Sequence, residues 1–239
     1  MAISHCSNVT GAIQPLEEIG SATRKNGTAL LVDAAQSAGS IPIDVEGMNI
    51  DFLAAPGHKG LFGPQGTGFL YIAEGIELSP LVVGGTGGFS SLYEQPEELP
   101  ERFESGTPNT PGIAGLKAGA EFVSATGVAL IREKEKTLVE LILDGIFNIP
   151  GALHYSPDDP AMRGSVVSFN VADRDPAEIG YSLDCEFEIA VRVGLHCAPE
   201  VHRTIGTFPY GAIRVSPGYF NTDEDIEIFL RALRSIVSG

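Results

Sequence analysis

The chain has 239 residues, 43% of them hydrophobic, enough for one large domain or two modest ones. Thirty-one acidic residues against fifteen basic ones give a formal charge of −16, which argues against a nucleic-acid partner and reads as a solubility feature. Three cysteines (Cys6, Cys185, Cys197) in no Cys-x-x-Cys pair suit a reducing cytoplasm, and no apolar run reaches membrane-spanning length. No signal peptide is expected.

Residues 1–4 read as the end of a strand that runs into the polar cluster His5-Cys6-Ser7-Asn8, so the sequence is expected to begin inside a fold. Residues 15–26 read as a helix, with Leu16, Ile19 and Ala22 on one face and Gly27 as the stop. Residues 29–32 form a short apolar strand ending at Asp33-Ala-Ala-Gln36. Further strands are predicted over 50–55 and 68–72. Strand, helix, strand, with polar residues at the strand ends, argues for an α/β sheet that binds ligands at its carboxyl edge. From Gly84 to Pro111 a stretch rich in Gly, Glu and Pro carries Phe89, Leu92, Tyr93 and Phe103 and reads as a functional or interface loop.

Helices follow over 112–125 and 129–147, the second with Arg132, Glu133, Lys134, Glu135 and Lys136 on what reads as its solvated side. A small α+β unit completes the chain. Its predicted strands are 166–171, 189–193 and 212–216. Asp175-Pro176 opens a helix to about residue 184, and Thr222 with Asp225 caps the last one. These elements predict a division into 1–118, part of a large domain, and 119–239, a small C-terminal domain.

The informative stretch is Asp51-Phe-Leu-Ala-Ala-Pro-Gly-His-Lys-Gly-Leu-Phe-Gly-Pro-Gln-Gly-Thr-Gly. Its glycines and prolines mark a loop that turns tightly or lies against something else, between two strands expected to be buried. Lys59 there is a surface residue or a partly desolvated amine able to attack a carbonyl. A nucleotide-binding loop fits poorly, because the lysine precedes most of the glycines. An aspartate closing an apolar strand is costly to bury unless a cation meets it, and a protonated pyridine nitrogen is such a cation. A lysine that bonds the aldehyde, with an aspartate on the ring nitrogen, is how proteins hold pyridoxal phosphate. Singly, Asp33 reads as a helix cap and Gln36 as a surface residue. Three polar clusters in order, each at a strand end, favour the cofactor.

The stretches SHCSNVTG, LLVDAAQ, GHKGLFGPQGTGFLYI, FESGTPNTPGIAGL, VRVGLHCAP and AIRVSPGYFNTDEDI resemble, in order, the larger C-terminal part of a class V aminotransferase-type enzyme of the cysteine desulfurase family. The short Cys-containing loop resembles the SufS-like group. The resemblance implies a fold type I α/β large-domain portion with a mainly parallel sheet, plus the small C-terminal domain. It also implies pyridoxal 5'-phosphate as cofactor, held covalently by Lys59. Asp33 would pair with the ring nitrogen, Gln36 and Asn8 would contact the ring oxygen or the substrate side, and His58 would reach the phosphate. Thr107 would touch the phosphate of a partner subunit, implying a homodimer with shared sites. Cys197 would take sulfur from L-cysteine as a persulfide, releasing alanine for sulfur trafficking or iron–sulfur assembly through an acceptor protein. Arg214 would clamp the substrate carboxylate beside Arg192 and Asn8; no metal is implied. Pro56 stands where relatives offer a phosphate-binding Ser or Thr, and the portion with the phosphate-cradling helix start lies outside this sequence.

The residues around Cys197 agree. His196 and Arg192 are expected to make a positive setting that favours thiolate, in an exposed loop between Gly194 and Pro199. Cys6 and Cys185 read as structural. Three alternatives stay open: a selenocysteine lyase, a class V aminotransferase, or a non-catalytic fragment acting as a dimerisation or interaction module. A half-open pocket joining Lys59 to Asp33 is expected.

Overall fold

A computed structural model describes residues 1–89 and 91–238, and in it the chain builds two four-stranded sheets, each with its own core. The first sheet has the order β1(Ala2–Ser4), β2(Leu31–Asp33), β3(Phe52–Pro56), β4(Gly68–Ile72). β1, β2 and β3 run parallel, and β4 returns antiparallel to β3. The mainly parallel sheet is as expected. Between β1 and β2, α1(Leu16–Lys25) makes the crossover that a parallel pair needs. Acidic Glu17 and Glu18 open it and Arg24 and Lys25 close it, matching the helix dipole. Leu16, Leu30, Val32, Ile50 and Leu53 form the core here.

The expected burial of both strands around the lysine loop holds for β3 only. β4 is an edge strand with one neighbour, and its Phe69 and Leu70 are exposed.

α2(Thr110–Thr126) and α3(Val128–Phe147) connect the sheets, and α2 runs straight through the boundary expected at residues 118 and 119. Among the described residues no single helix is long and apolar enough to cross a membrane. The second sheet is antiparallel, in the order β5(Ala152–His154), β6(Val167–Val171), β8(Ala212–Val215), β7(Arg192–Gly194). α3, α4(Pro176–Phe187) and α6(Asp223–Ser238) pack on it around Phe169, Ile142, Leu183, Ile213 and Leu233. The capping box of α6 forms as expected: Asp225 N–H donates to Thr222 Oγ1, and Thr222 N–H donates to Asp225 Oδ2. β5 and the short α5(Pro199–Thr204) have no counterpart in the sequence reading. β7 begins three residues later than expected, a shift that alternation leaves weakly fixed in a short strand.

Two further expectations are overturned. The charge run on α3 is not one solvated face: Glu135 is 4% exposed and Arg132 is half-buried. Glu135 shares its face with buried Ile131, Leu138 and Ile142. Its carboxyl is raised above the usual carboxylate range by burial, opposed by hydrogen bonds with Ser165 and Ser40 and by the charge of Arg132. Arg132 donates to the Arg163 carbonyl. Cys185 is not buried but exposed on α4, beside Tyr181. Cys6 is buried, and its thiol is pushed up to about 12 by burial, which suits a structural part.

Phe169 is fully buried against Phe229. Phe169→Ala is expected to cost about 3–5 kcal/mol in urea unfolding, by lost transfer energy and the cavity left behind. Tyr93→Ala, at a fully exposed position, should stay within about 0.5 kcal/mol of the parent.

Candidate active site

The three parallel strands end level, with Ser4 beside Asp33 and Asp33 beside Ala54. Asn8 follows the end of β1, Gln36 the end of β2, and His58 and Lys59 the end of β3, so the carboxyl edge collects them. Asp33 is exposed. One of its oxygens accepts from Ala35 N–H at 2.8 Å, which fixes the turn and leaves the other without a hydrogen-bond partner among the described residues. The turn after Asp33 and the loop carrying Lys59 are pressed together. A Cβ on Gly60 would lie 2.4 Å from the Ala38 carbonyl oxygen, and one on Gly39 would lie 2.1 Å from the Gly60 carbonyl. Only glycine permits that contact, and it seats the Lys59 loop against the turn that carries Gln36.

His58 and Lys59 are exposed, and among the described residues Lys59 makes no side-chain hydrogen bond or ion pair. The partial desolvation expected for this amine is not found. The loop lies beyond the strand ends, and β4 leaves one flank uncovered. The expected pocket between Lys59 and Asp33 is correspondingly an open face, since both side chains are solvent-exposed. Thr107 is exposed two residues before Asn109, the N-cap of α2.

A second group gathers around Cys197. The thiol is exposed, as read from the sequence, at the tip of a tight turn closed by Ala198 N–H donating to the Leu195 carbonyl at 2.8 Å. Arg192 on β7 pairs directly with Arg214 on β8. Like charges in register across a sheet are unfavourable unless something negative lies between them. Here Arg192 Nη2 donates to the Cys197 sulfur at 3.3 Å. Arg214 is half-buried; burial and then Arg192 lower its pKa, while Cys197 raises it. Its Nε is buried with no partner among the described residues, and its Nη1 donates to the Asn8 carbonyl at 3.0 Å.

The positive setting expected around the thiol comes from these two arginines and not from His196. That ring is 2% exposed and points inward, where Nε2 meets the Ala212 carbonyl at 2.9 Å. Burial, followed by the charge of Arg214, lowers its pKa to about 4, so it is neutral near pH 7. Close support comes from Gly211, at φ 84°, where a Cβ would strike the Gly194 backbone at 2.2 Å.

Asn8 joins the two groups. Its side-chain amide donates to the His196 carbonyl at 2.6 Å, in the turn that presents Cys197. Asn8, Arg192, Cys197 and Arg214 are thus linked in one cluster: Asn8 to Arg214 and to the Cys197 turn, Arg214 to Arg192 across the sheet, and Arg192 to Cys197. Asp33, Gln36, His58 and Lys59 belong to the neighbouring strand ends. Sequence reading missed the parts played by His202 and Thr207, which lie behind the turn; a histidine one helical turn beyond Pro199 was the available signal.

The Aminotransferase class-V family profile matches residues 1–229. The chain belongs to the class V aminotransferase family. A relative called a probable cysteine desulfurase in Pyrococcus abyssi is 38% identical over 246 residues, covering 100% of this chain and 60% of its own length. A cysteine desulfurase of Escherichia coli is 37% identical over 242 residues, covering 99% of this chain and 58% of its own. Among solved structures, the apo cysteine desulfurase of Thermococcus onnurineus superposes with a TM-score of 0.88 at 36% identity, over 100% of this chain and 60% of that one. This class V aminotransferase-family chain therefore spans about three-fifths of the length of these relatives.

Enzymes of the family depend on pyridoxal phosphate. The residues present fit its reactive end: among the described residues Lys59 offers an unpaired exposed amine and Asp33 an oxygen without a hydrogen-bond partner, on loops in contact. His58 is the nearest candidate for the phosphate, and Pro56, with no donor, lines no part of that task.

His5 is buried like His196, and burial lowers its pKa to about 4 as well. Unfolded imidazoles titrate near 6.5, so acidification loads protons onto the unfolded state first. Stability is full above that pH and falls as pH drops towards 4, by up to about 2 kcal/mol per histidine between pH 7 and pH 5. Glu135, with its raised carboxyl, works in the opposite sense. Urea unfolding at pH 7 and pH 5 measures the loss, and His5→Gln should remove about 2 kcal/mol of it.

Proposed function

We propose that the chain carries the catalytic apparatus of a cysteine desulfurase, which converts L-cysteine to L-alanine and passes the sulfur to Cys197. The observation that carries this reading is the placement of Cys197. The thiol stands 3.3 Å from Arg192, and its turn is tied through Asn8 to the strand ends bearing Asp33 and Lys59.

Pyridoxal phosphate, when bound, supplies an electron sink for bonds to the substrate carbon. Asp33 would hold the ring end through its carboxylate. Lys59 would hold the cofactor covalently, and its amine would serve as the base and acid for the proton at the substrate Cα. Arg214, oriented by its bond to the Asn8 carbonyl, offers guanidinium N–H groups to the substrate carboxylate. The Cys197 thiolate attacks the substrate sulfur. A sulfur–sulfur bond forms and the carbon–sulfur bond breaks. The electron pair stays with carbon, which takes a proton to become the methyl group of alanine. Arg192, whose Nη2 donates to the Cys197 sulfur at 3.3 Å, would orient that sulfur for attack and hold the persulfide afterwards.

The persulfide would pass to an acceptor protein for sulfur trafficking or iron–sulfur assembly in the reducing cytoplasm. A homodimer would set Thr107, which is exposed, against a partner's phosphate site. The exposure of Lys59 and Asp33 favours a second reading, a dimerisation or sulfur-accepting module that does not retain cofactor by itself.

Incubation with pyridoxal phosphate decides between them. The first reading predicts a yellow protein, borohydride fixation on Lys59, and a persulfide on Cys197 by mass spectrometry after L-cysteine is added. Lys59→Ala should abolish colour and turnover, and Cys197→Ser should cut desulfuration by on the order of 100-fold or more, as for loss of a covalent nucleophile. A protein that stays colourless supports the second reading. A Cys197→Ser variant that keeps its rate would point to selenocysteine-lyase chemistry.

A further inference from the structure

The turn that presents Cys197 is made of the wrong residues for its shape. His196 has φ 49° and Cys197 φ 63°, two consecutive left-handed residues bracketed by the Ala198 to Leu195 hydrogen bond. Positive φ at both central positions is the mark of a turn class dominated by Asn-Gly and Asp-Gly. A β-carbon at each position costs roughly 1–2 kcal/mol, so the conformation persists only if its surroundings over-determine it.

What holds it is below the turn, on the side away from the thiol. The His196 ring is buried, and its Nε2–H donates to the Ala212 carbonyl on β8. It lies beside the wholly buried ring of His202, with centroids 5.4 Å apart and the planes tilted by 47°. His202 Nδ1 is bound in turn to Thr207 Oγ1 at 2.7 Å. Neither imidazole reaches solvent or the thiol. His196 Nδ1 is buried without a partner among the described residues, and His202 has the Leu195 backbone of the same turn as a further neighbour.

We propose that His196 is a positioning residue: its buried hydrogen bond to Ala212, backed by His202, forces the left-handed turn that holds the Cys197 sulfur against Arg192 and beside Arg214. His196 performs no acid–base step. It acts as a peg through the sheet, and the arginines act on the thiol only while the peg holds. This deepens the reading of Cys197 as the sulfur-accepting thiol, yet the thiol can be read by itself, without cofactor or substrate. Failure of desulfuration and failure of the peg are therefore separate results.

The test is alkylation of the purified chain by iodoacetamide, followed peptide by peptide from pH 6 to pH 10. Cys185, exposed on α4, serves as the internal reference. For His196→Ala the Cys197:Cys185 rate ratio at pH 7 should fall by on the order of 3- to 10-fold, because the sulfur leaves its cationic setting. The deficit should vanish by about pH 10, where free thiols ionise unaided. His196→Gln, whose amide can donate at the place of Nε2, should recover most of the ratio. If His196→Ala does not fold, His196→Leu replaces it; leucine refills the buried space but can make no hydrogen bond to Ala212 and does not relieve the left-handed backbone. A ratio unchanged in the Ala or Leu variant, a deficit that persists at pH 10, or a Gln variant no better than Ala would each overturn the proposal.

Discussion

Residues 8 and 9 are gripped by the second sheet while they belong, by chain order, to the end of a strand in the first. Arg214 donates to the Asn8 carbonyl and Ser168 Oγ donates to the Val9 carbonyl at 2.6 Å, from adjacent strands β8 and β6. Val9 itself is fully buried. Beyond it, Gly164 N–H donates to the Gly11 carbonyl and Ile13 N–H to the Met162 carbonyl, so the strap is stitched along its length. Two sheets with separate cores are thereby held in one relation. A polar strap is suited to this, since backbone groups buried at the junction must find partners somewhere and each bond fixes a direction as well as a distance.

That relation sets what the two reactive groups can do. The Lys59 loop gets its place from a glycine-to-glycine contact with the turn after Asp33. Cys197 gets its place from a turn that leans on β8 and on Asn8. Neither placement requires a buried charge. Lys59, Asp33, Arg192 and Cys197 are all exposed, and only Arg214 is partly withdrawn from water. Charge at the site is arranged by the facing of Arg192 and Arg214 across the sheet, a local cost in stability that leaves a cationic spot beside the Cys197 sulfur.

Much of this was legible from residue order. Alternation, caps and turn residues located β4, α1 and α6 closely, and polar clusters at strand ends pointed to the edge where Asn8, Asp33 and Lys59 meet. What escaped had a physical cause in each case. Glu135 was read as solvated because a charge run outweighed its spacing from Ile131 and Leu138, although that spacing put it on the buried face. His196 was read as a cation because it adjoins Cys197 in sequence; at neighbouring positions of a tight turn the side chains diverge, and burial then keeps the ring neutral. Cys185 reads as structural from its apolar neighbours, yet its thiol is exposed on α4. The openness of β4 depends on which strand has a second neighbour, which sequence periodicity does not encode.

The central claim is that the strap brings the thiol of Cys197 over the same edge as the amine of Lys59. A short amine-to-thiol cross-linker tests directly whether the two groups share that edge. Mass spectrometry of the cross-linked chain should find Lys59 joined to Cys197, and the link should weaken when Asn8→Ala removes the side-chain amide that holds the His196 carbonyl. Cys197 joined only to lysines on other faces, such as Lys25 or Lys117, with Lys59 never captured, would contradict the account.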